Sequence, residues 1–352
     1  MKTKTTLMSA HYQWSSRPRD ERFETLADLK AAVTARQEKS EAIKFDLQKM
    51  AFEVEDQKLL VNTGDNQLRL TNWSYQQMLG FVGLQNDMSE RARPETIASV
   101  MNDYAKTSKR LYGSTVLAYN QKIARGFLGN QYQLLWDSQV LEWLEDLTAK
   151  GNWKRPKALD EATRGPAGLY AGDRNMFVFL VDGGKTFEDD SAEGVGRGIF
   201  VWNSEVYGKP FGFQSFLFRY VCGNHMVWDA SEVSGFTMRH FGKGFQAETR
   251  ERLYKFTEDY MNSGAAEQKA INAARKKVLA GNNEELTDTL KGFGIGRKFA
   301  TTVIEYLEER EQAPTVWNVA NAITWNSQKF ENADVRNVYD TSAGKLLVAA
   351  TK

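Results

Sequence analysis

The 352-residue sequence predicts an α+β fold, a mixed central sheet with flanking helices and a helical C-terminal region. Two observations carry this prediction. Through the first 245 residues, short runs rich in β-branched and aromatic residues alternate with apolar stripes at helical spacing, and beyond about residue 245 only helical stripes remain. The expected division is an α+β body over 1–245 and a helical region over 246–352. A hydrophobic fraction of 41%, with 12% aromatic residues, supplies enough apolar side chain for a substantial core.

The elements follow in order. Leu26, Leu29 and Val33 fall on one helical face, and Thr25 with Asp28 forms a capping pair, so a short surface helix is expected over 25–36. Strands are expected over 51–61 and 67–72, separated by the Asn62–Asn66 turn cluster. A second helix follows Ser74, paired with Gln77. A third starts at Pro94, with Ile97, Val100, Met101 and Tyr104 as its stripe. The stretch 114–133, broken by Gly126 and Gly129, reads as two or three strands, and Asp137 as the cap of a helix through Val140, Leu144 and Leu147. Met176–Val181 reads as a buried strand that turns at Asp182-Gly183-Gly184; Ile199–Trp202 reads as another, and 236–240 as a half-buried one. Phe213, Phe216, Leu217, Tyr220 and Val221 recur at helical spacing ahead of Gly223-Asn224, so a helix is expected between them. The last region carries helical stripes at 265–280, 300–307 and 316–323.

Forty-six basic residues against 45 acidic ones give a net charge of +1, which excludes binding by bulk charge; an anionic partner has to be met by a local patch. The single Cys excludes a disulfide framework or a thiolate-based metal site within one chain, which fits a cytoplasmic setting. No apolar run is long enough to span a bilayer, and residues 1–10 lack the apolar centre of a secretion signal, so the beginning is read as a frayed end and no membrane partner is expected.

Several segments together resemble a known family. They are Trp14-x-x-Arg17-Pro18-x-Asp20-Glu21-Arg22-Phe23, Leu70-Thr-Asn-Trp73-Ser-Tyr75, Leu169-Tyr170-x-x-Asp173-Arg174-x-Met176-Phe177, Gly198-x-Phe200-Val-Trp202-Asn203-Ser204-Glu205-Val206, Tyr220-Val-Cys-Gly223-Asn224-His225-x-Val227-Trp228, Arg239-His240, Thr315-Val-Trp317 and Ala343-Gly344-Lys345-Leu346. This pattern, spanning about 14–347, resembles the phage- and plasmid-borne family of unknown function called phage/plasmid-like proteins. The family carries no settled activity or accepted catalytic residues. The resemblance implies a mobile-element setting inside the host cell, where proteins acting on DNA and proteins countering host defences are both common.

The residues themselves offer three chemistries. Binding of single strands needs cations along the backbone and flat side chains for the bases. Arg17, Arg19 and Arg22 beside Trp14, Lys154, Arg155 and Lys157 beside Trp153, and Arg239 with Lys243 are candidates, each weighed against a plain solvated surface. Gly292-Phe-Gly294-Ile-Gly296-Arg297-Lys298, between two expected helices, resembles a helix-hairpin-helix turn that offers backbone N–H groups and two cations to a phosphate; the plainer reading is a helix cap and tight turn. Gly194–Gly198 reads as a turn, and no P-loop motif exists. Trp202-Asn203-Ser204-Glu205 ends a buried strand in hydrogen-bonding groups; either these open onto a pocket, with Asn224, His225 and His240 as partners, or they satisfy neighbouring backbone. Cys222 with His225 and His240 invites a thiol-nucleophile reading and His225, His240, Asp229 and Glu205 a metal reading, but neither has the required spacing.

The expectation is therefore a nucleic-acid-binding protein of a mobile element, acting on single-stranded DNA as a homo-oligomeric annealing or protection factor without a cofactor or metal. The alternatives are a factor that blocks a host protein, and an enzyme built on Glu205, Cys222, His225 and His240.

Overall fold

The computed structural model describes residues 19–45, 49–64, 66–81, 83, 91–107, 114–149, 151, 153–155, 168–187, 195–219, 225–226, 235–262, 264–327, 329–330, 338–339, 342–347 and 349. The architecture is α+β, built on two sheets.

The first sheet has β1 (Ser40–Phe45), β2 (Ala51–Glu55), β3 (Lys58–Asn62), β4 (Gln67–Leu70), β5 (Ser114–Tyr119) and β6 (Ile123–Leu128) in the order β1-β5-β6-β4-β3-β2, mixed because only β4 and β6 run parallel. The expected strand over 51–61 is in fact a hairpin. Asp56 and Gln57 take left-handed φ values of 50° and 61° and join Glu55 to its register partner Lys58 in a two-residue loop. Asn120 and Gln121, at 50° and 53°, begin the three-residue loop Asn120–Lys122 between the register partners Tyr119 of β5 and Ile123 of β6. Strand β1 was not expected from the sequence at all.

Helices α1 (Leu26–Glu38), α2 (Asn72–Phe81) and α3 (Pro94–Thr107) occur in the N-terminal half. Thr25 caps α1 by accepting from Asp28 N–H at 3.1 Å, as its spacing predicts. The cap of α2 is Thr71 rather than Ser74: Thr71 Oγ1 accepts from Ser74 N–H and Ser74 Oγ accepts from Thr71 N–H, at 3.1 and 2.9 Å. Met78, Leu79, Ile97 and Met101 of α2 and α3 close a core with Val61, Leu68, Val116 and Phe127 of the sheet.

The second sheet is antiparallel and centres on three long strands, β9 (Met176–Phe187), β10 (Val195–Asn203) and β11 (Phe211–Arg219). Short strands share its edges: β7 (Trp153–Lys154) and β8 (Leu169–Ala171) pair with β9, β12 (His225–Met226) and β13 (Gly235–Met238) with β11. Three expectations change here. Residues 211–219 form a strand and not a helix, because Gly212, Phe213, Ser215 and Leu217 pair residue by residue with β10. Strand β9 runs straight through Asp182-Gly183-Gly184. Gly196–Gly198 lie within β10, at a break in its register against β9, and do not turn the chain.

Both faces of this sheet are buried. On one, Val178, Leu180, Ile199, Val201, Phe211 and Phe213 pack against α1, α4 (Asp137–Thr148) and α5 (Phe245–Asn262). On the other, Phe177, Phe179, Phe200 and Trp202 form an aromatic row, with Phe179 and Phe200 stacked at 4.2 Å. The row leaves no room opposite Trp202: a Cβ on its partner Gly212 would lie 1.9 Å from the indole.

Helices α6 (Gly264–Lys276), α7 (Asn283–Gly292), α8 (Arg297–Glu309) and α9 (Val316–Ser327), with the helical residues 342–347, share a separate hydrophobic core. Leu290, Ala300, Val303, Val319, Ile323 and Leu347 are at its centre. Helix α5 instead sends Phe245, Leu253 and Tyr260 into the core under the second sheet.

Candidate nucleic-acid interface

Strand β10 ends in the turn Asn203–Lys209, which ties the two sheets together. Asn203, Ser204 and Glu205 are 0%, 0% and 2% exposed, so they look into the protein and not onto a groove. Ser204 Oγ donates to Arg174 O at 2.6 Å and accepts from Gly208 N–H at 2.8 Å. Val206 O accepts from Trp73 Nε1 and from Gln77 Nε2, both on α2 of the other sheet's layer. Ser204 thus satisfies neighbouring backbone, whereas Asn203 and Glu205 also bond buried side chains.

Glu205 belongs to a buried cluster that the sequence did not reveal. Arg125 of β6 donates to Glu205 Oε2 at 2.6 Å, Arg36 of α1 to Asp137 Oδ2 at 2.8 Å, and Asp137 N–H to Glu205 Oε1 at 3.0 Å. Asn203 Nδ2 adds bonds to Asp137 Oδ1 and Leu135 O. Asp137, expected as a helix cap, is instead the first residue of α4 and spends its carboxylate here. Burial pushes that carboxyl up to about 7; the neighbouring Glu205 charge adds to the rise, while Arg36, Asn203 and Arg125 oppose it. Two guanidinium groups face two carboxylates and lock the two layers together, while Arg36 Nε, Arg125 Nε and Asn203 Oδ1 are buried without a hydrogen-bond partner.

His240 is 2% exposed and stacks flat on Tyr132, with centroids 4.7 Å apart. Its Nδ1 lies 3.1 Å from Gln133 O, which fixes Nδ1 as the protonated nitrogen, and burial lowers its pKa to about 4. The Tyr132 phenol, raised by burial, donates to Ser204 O at 2.6 Å. A neutral, stacked imidazole in this setting is a packing residue. Asn224, Cys222 and Asp229 lie outside the described residues, as do Arg17, Lys157 and Trp14; His225 and Arg19 are described in their backbone alone. Among the described residues no group of three His, Cys, Asp or Glu is placed to hold a metal ion.

The basic candidates separate into different settings. Trp153 is partly buried and packs against the core beneath the second sheet. Lys154 is exposed, whereas Arg155 pairs with the Glu24 carboxylate and donates to Glu24 O at 2.9 Å. Arg22 bridges to Tyr170 through the backbone. Arg239 and Lys243 are exposed on either side of buried His240.

The glycine-rich turn is the clearest of the candidates. Phe293 N–H and Ile295 N–H both donate to Leu290 O and Gly294 N–H to Lys291 O, closing α7 with Gly294 at φ 81°. Ile295 is 1% exposed and pins the turn to the C-terminal core, with Ala300 and Val303 of α8 buried behind it. Gly296 is the N-cap of α8 and gives it no side-chain cap bond. A Cβ at Gly294 or Gly296 would meet nothing within 4 Å, so the space over the turn is open. Arg297 and Lys298 follow, both exposed, and the first turn of α8 has no acidic residue.

No helix among the described residues is long and apolar enough to cross a membrane. No family model, no curated protein and no solved structure matches the chain.

Proposed function

We propose that this chain is a nucleic-acid-binding protein that acts non-enzymatically on strands during replication or recombination of a phage or other mobile element. The mobile-element setting comes from the family resemblance. The nucleic-acid reading rests on the α7–α8 hairpin. Two cations at the positive end of a helix macrodipole oppose the helix by about 0.3–1 kcal/mol each, and Arg297 and Lys298 sit there with no carboxylate in the first turn. An uncapped, open helix start carrying two such cations suits an anion, and a backbone phosphate suits the open space over the glycine turn beside it.

The test is a fluorescence-anisotropy titration of labelled single- and double-stranded DNA and RNA at two salt concentrations, on the wild type and on Arg297→Ala/Lys298→Ala. The expected result is salt-sensitive binding whose slope of log K against log salt falls by about 2 in the double variant. Absence of binding at low salt removes the reading, and an unchanged slope removes the hairpin from the site.

A further inference from the structure

Large aromatic side chains are normally covered, yet Tyr207 is 52% exposed and Phe241 42% exposed, and both are built against the same residue. Tyr207 meets Tyr132 edge to face at 5.4 Å, and Phe241 pairs with Tyr132 through an isolated backbone bridge. Tyr132 in turn stacks on His240, and His240 packs at a tilt against Phe245, whose side chain is buried. An aromatic column thus runs from the core to the surface and ends in an open ring.

That ring is held at a conformational cost. Tyr207 has a left-handed φ of 65°, which a bulky side chain rarely adopts. Tyr207 N–H donates to the Tyr132 hydroxyl at 3.4 Å, and Gly208 beside it is packed so closely that a Cβ would lie 2.8 Å from Arg174 Cγ. The turn is fixed before any ligand arrives, which spares the ligand the cost of ordering it.

Cations surround it. Arg174 is exposed and lies over the Trp73 ring at 3.9 Å, Lys209 over Phe177 at 4.9 Å, and Arg239 and Lys243 flank Phe241 on its loop. Flat, rigid, exposed rings interleaved with cations are the elements that hold unpaired nucleotides, since every base has a face to stack and a phosphate to neutralise.

Resting on the nucleic-acid reading above, the geometry points to this surface as the single-strand subsite: Tyr207 and Phe241 stack unpaired bases while Arg239 and Lys243 hold the phosphates between them. A duplex, whose bases are already stacked, gains nothing from the two rings. Strand preference therefore resides here, and the hairpin serves single and double strands alike.

The experiment titrates labelled oligo-dT and a duplex of the same length with the full chain and its Tyr207→Ala, Phe241→Ala and Tyr207→Phe variants, with thermal unfolding recorded for each. Stacking is worth enough that Tyr207→Ala and Phe241→Ala should each weaken oligo-dT binding by about 5-fold to 100-fold. Duplex affinity should stay within about 2-fold, and Tyr207→Phe should keep wild-type binding. Equal losses on both strands, or none on oligo-dT, overturn the subsite while leaving the nucleic-acid reading intact. Wild-type protein that binds neither strand overturns both. Loss at Tyr207 without loss at Arg297 and Lys298 keeps the subsite and removes the hairpin.

Discussion

Arg125 and Glu205 meet at 2.6 Å with both side chains almost wholly buried, joining the first sheet to the turn that ends the central strand of the second. A buried ion pair is a weak source of net stability, but breaking one by removing a single partner leaves an uncompensated charge and costs about 3–5 kcal/mol. Glu205→Gln and Arg125→Met should each lower stability by that order in urea unfolding. The double variant should lose about 1–3 kcal/mol less than the two singles added together. Strict additivity would mean that the two residues do not act as a pair.

Gly212 is the counterpart of this lock within the second sheet. Its hydrogen lies under the Trp202 indole, where a methyl group would come within 1.9 Å of Cζ2, and Trp202 is held by Phe200 at 4.7 Å on its other contact. Gly212→Ala should therefore destabilise by at least about 1–3 kcal/mol, the usual cost of overpacking a dense core. The variant should be seen as a lowered unfolding midpoint with the m-value kept. Gly281→Ala, whose added Cβ would meet only the Glu285 carboxylate at 3.5 Å, is the matched surface control.

What the sequence made legible is local. Thr25 before an apolar stripe, Pro94 at a first helical turn and the Gly294-Ile-Gly296 turn are each signalled within a few residues, and all three are seen. Strand β11 reads as a helix in sequence because the spacing of Phe213, Phe216, Leu217 and Tyr220 fits one, while its true determinant is pairing with β10, which no window of that segment contains. The hairpins at Asp56-Gln57 and Asn120-Gln121 lack the glycine that normally marks left-handed turns. The buried cluster was invisible for a similar reason: Arg125 and Glu205 are 80 residues apart and Arg36 and Asp137 are 101 apart, and nothing local distinguishes them from surface charges. Exposure of Tyr207 and Phe241 is likewise a property of the folded surface alone.

The stability of the fold should depend on pH through His240. Its folded pKa of about 4 lies below the ordinary 6.5, so between those values the unfolded chain binds the proton that the folded chain refuses. Stability is fully present above about 6.5 and is lost as pH falls toward 4, by an amount on the order of 3 kcal/mol from this group. Asp137, raised to about 7, has the opposite slope, losing stability as pH rises from its ordinary value toward 7. The informative measurement is thus the difference between wild type and His240→Gln, in which Asp137 cancels. That difference should shrink from pH 7 to pH 4.5 in chemical denaturation; a pH-independent difference would mean that the imidazole is not held neutral.

Position 296 separates stability from binding. Gly296 caps α8 without a side-chain bond, and space above it is open, so an aspartate placed there can accept from the free N–H groups of the first turn. A carboxylate at a helix start is favourable with the macrodipole, and it also gives Arg297 and Lys298 a neighbouring counter-charge. Gly296→Asp should therefore hold or slightly raise the unfolding temperature. The same carboxylate occupies the place offered to a phosphate, so affinity for single- and double-stranded nucleic acid should fall by about 10-fold or more, most steeply at low salt where repulsion is least screened. A variant that is more stable and still binds at wild-type strength would show that the hairpin is only a helix junction.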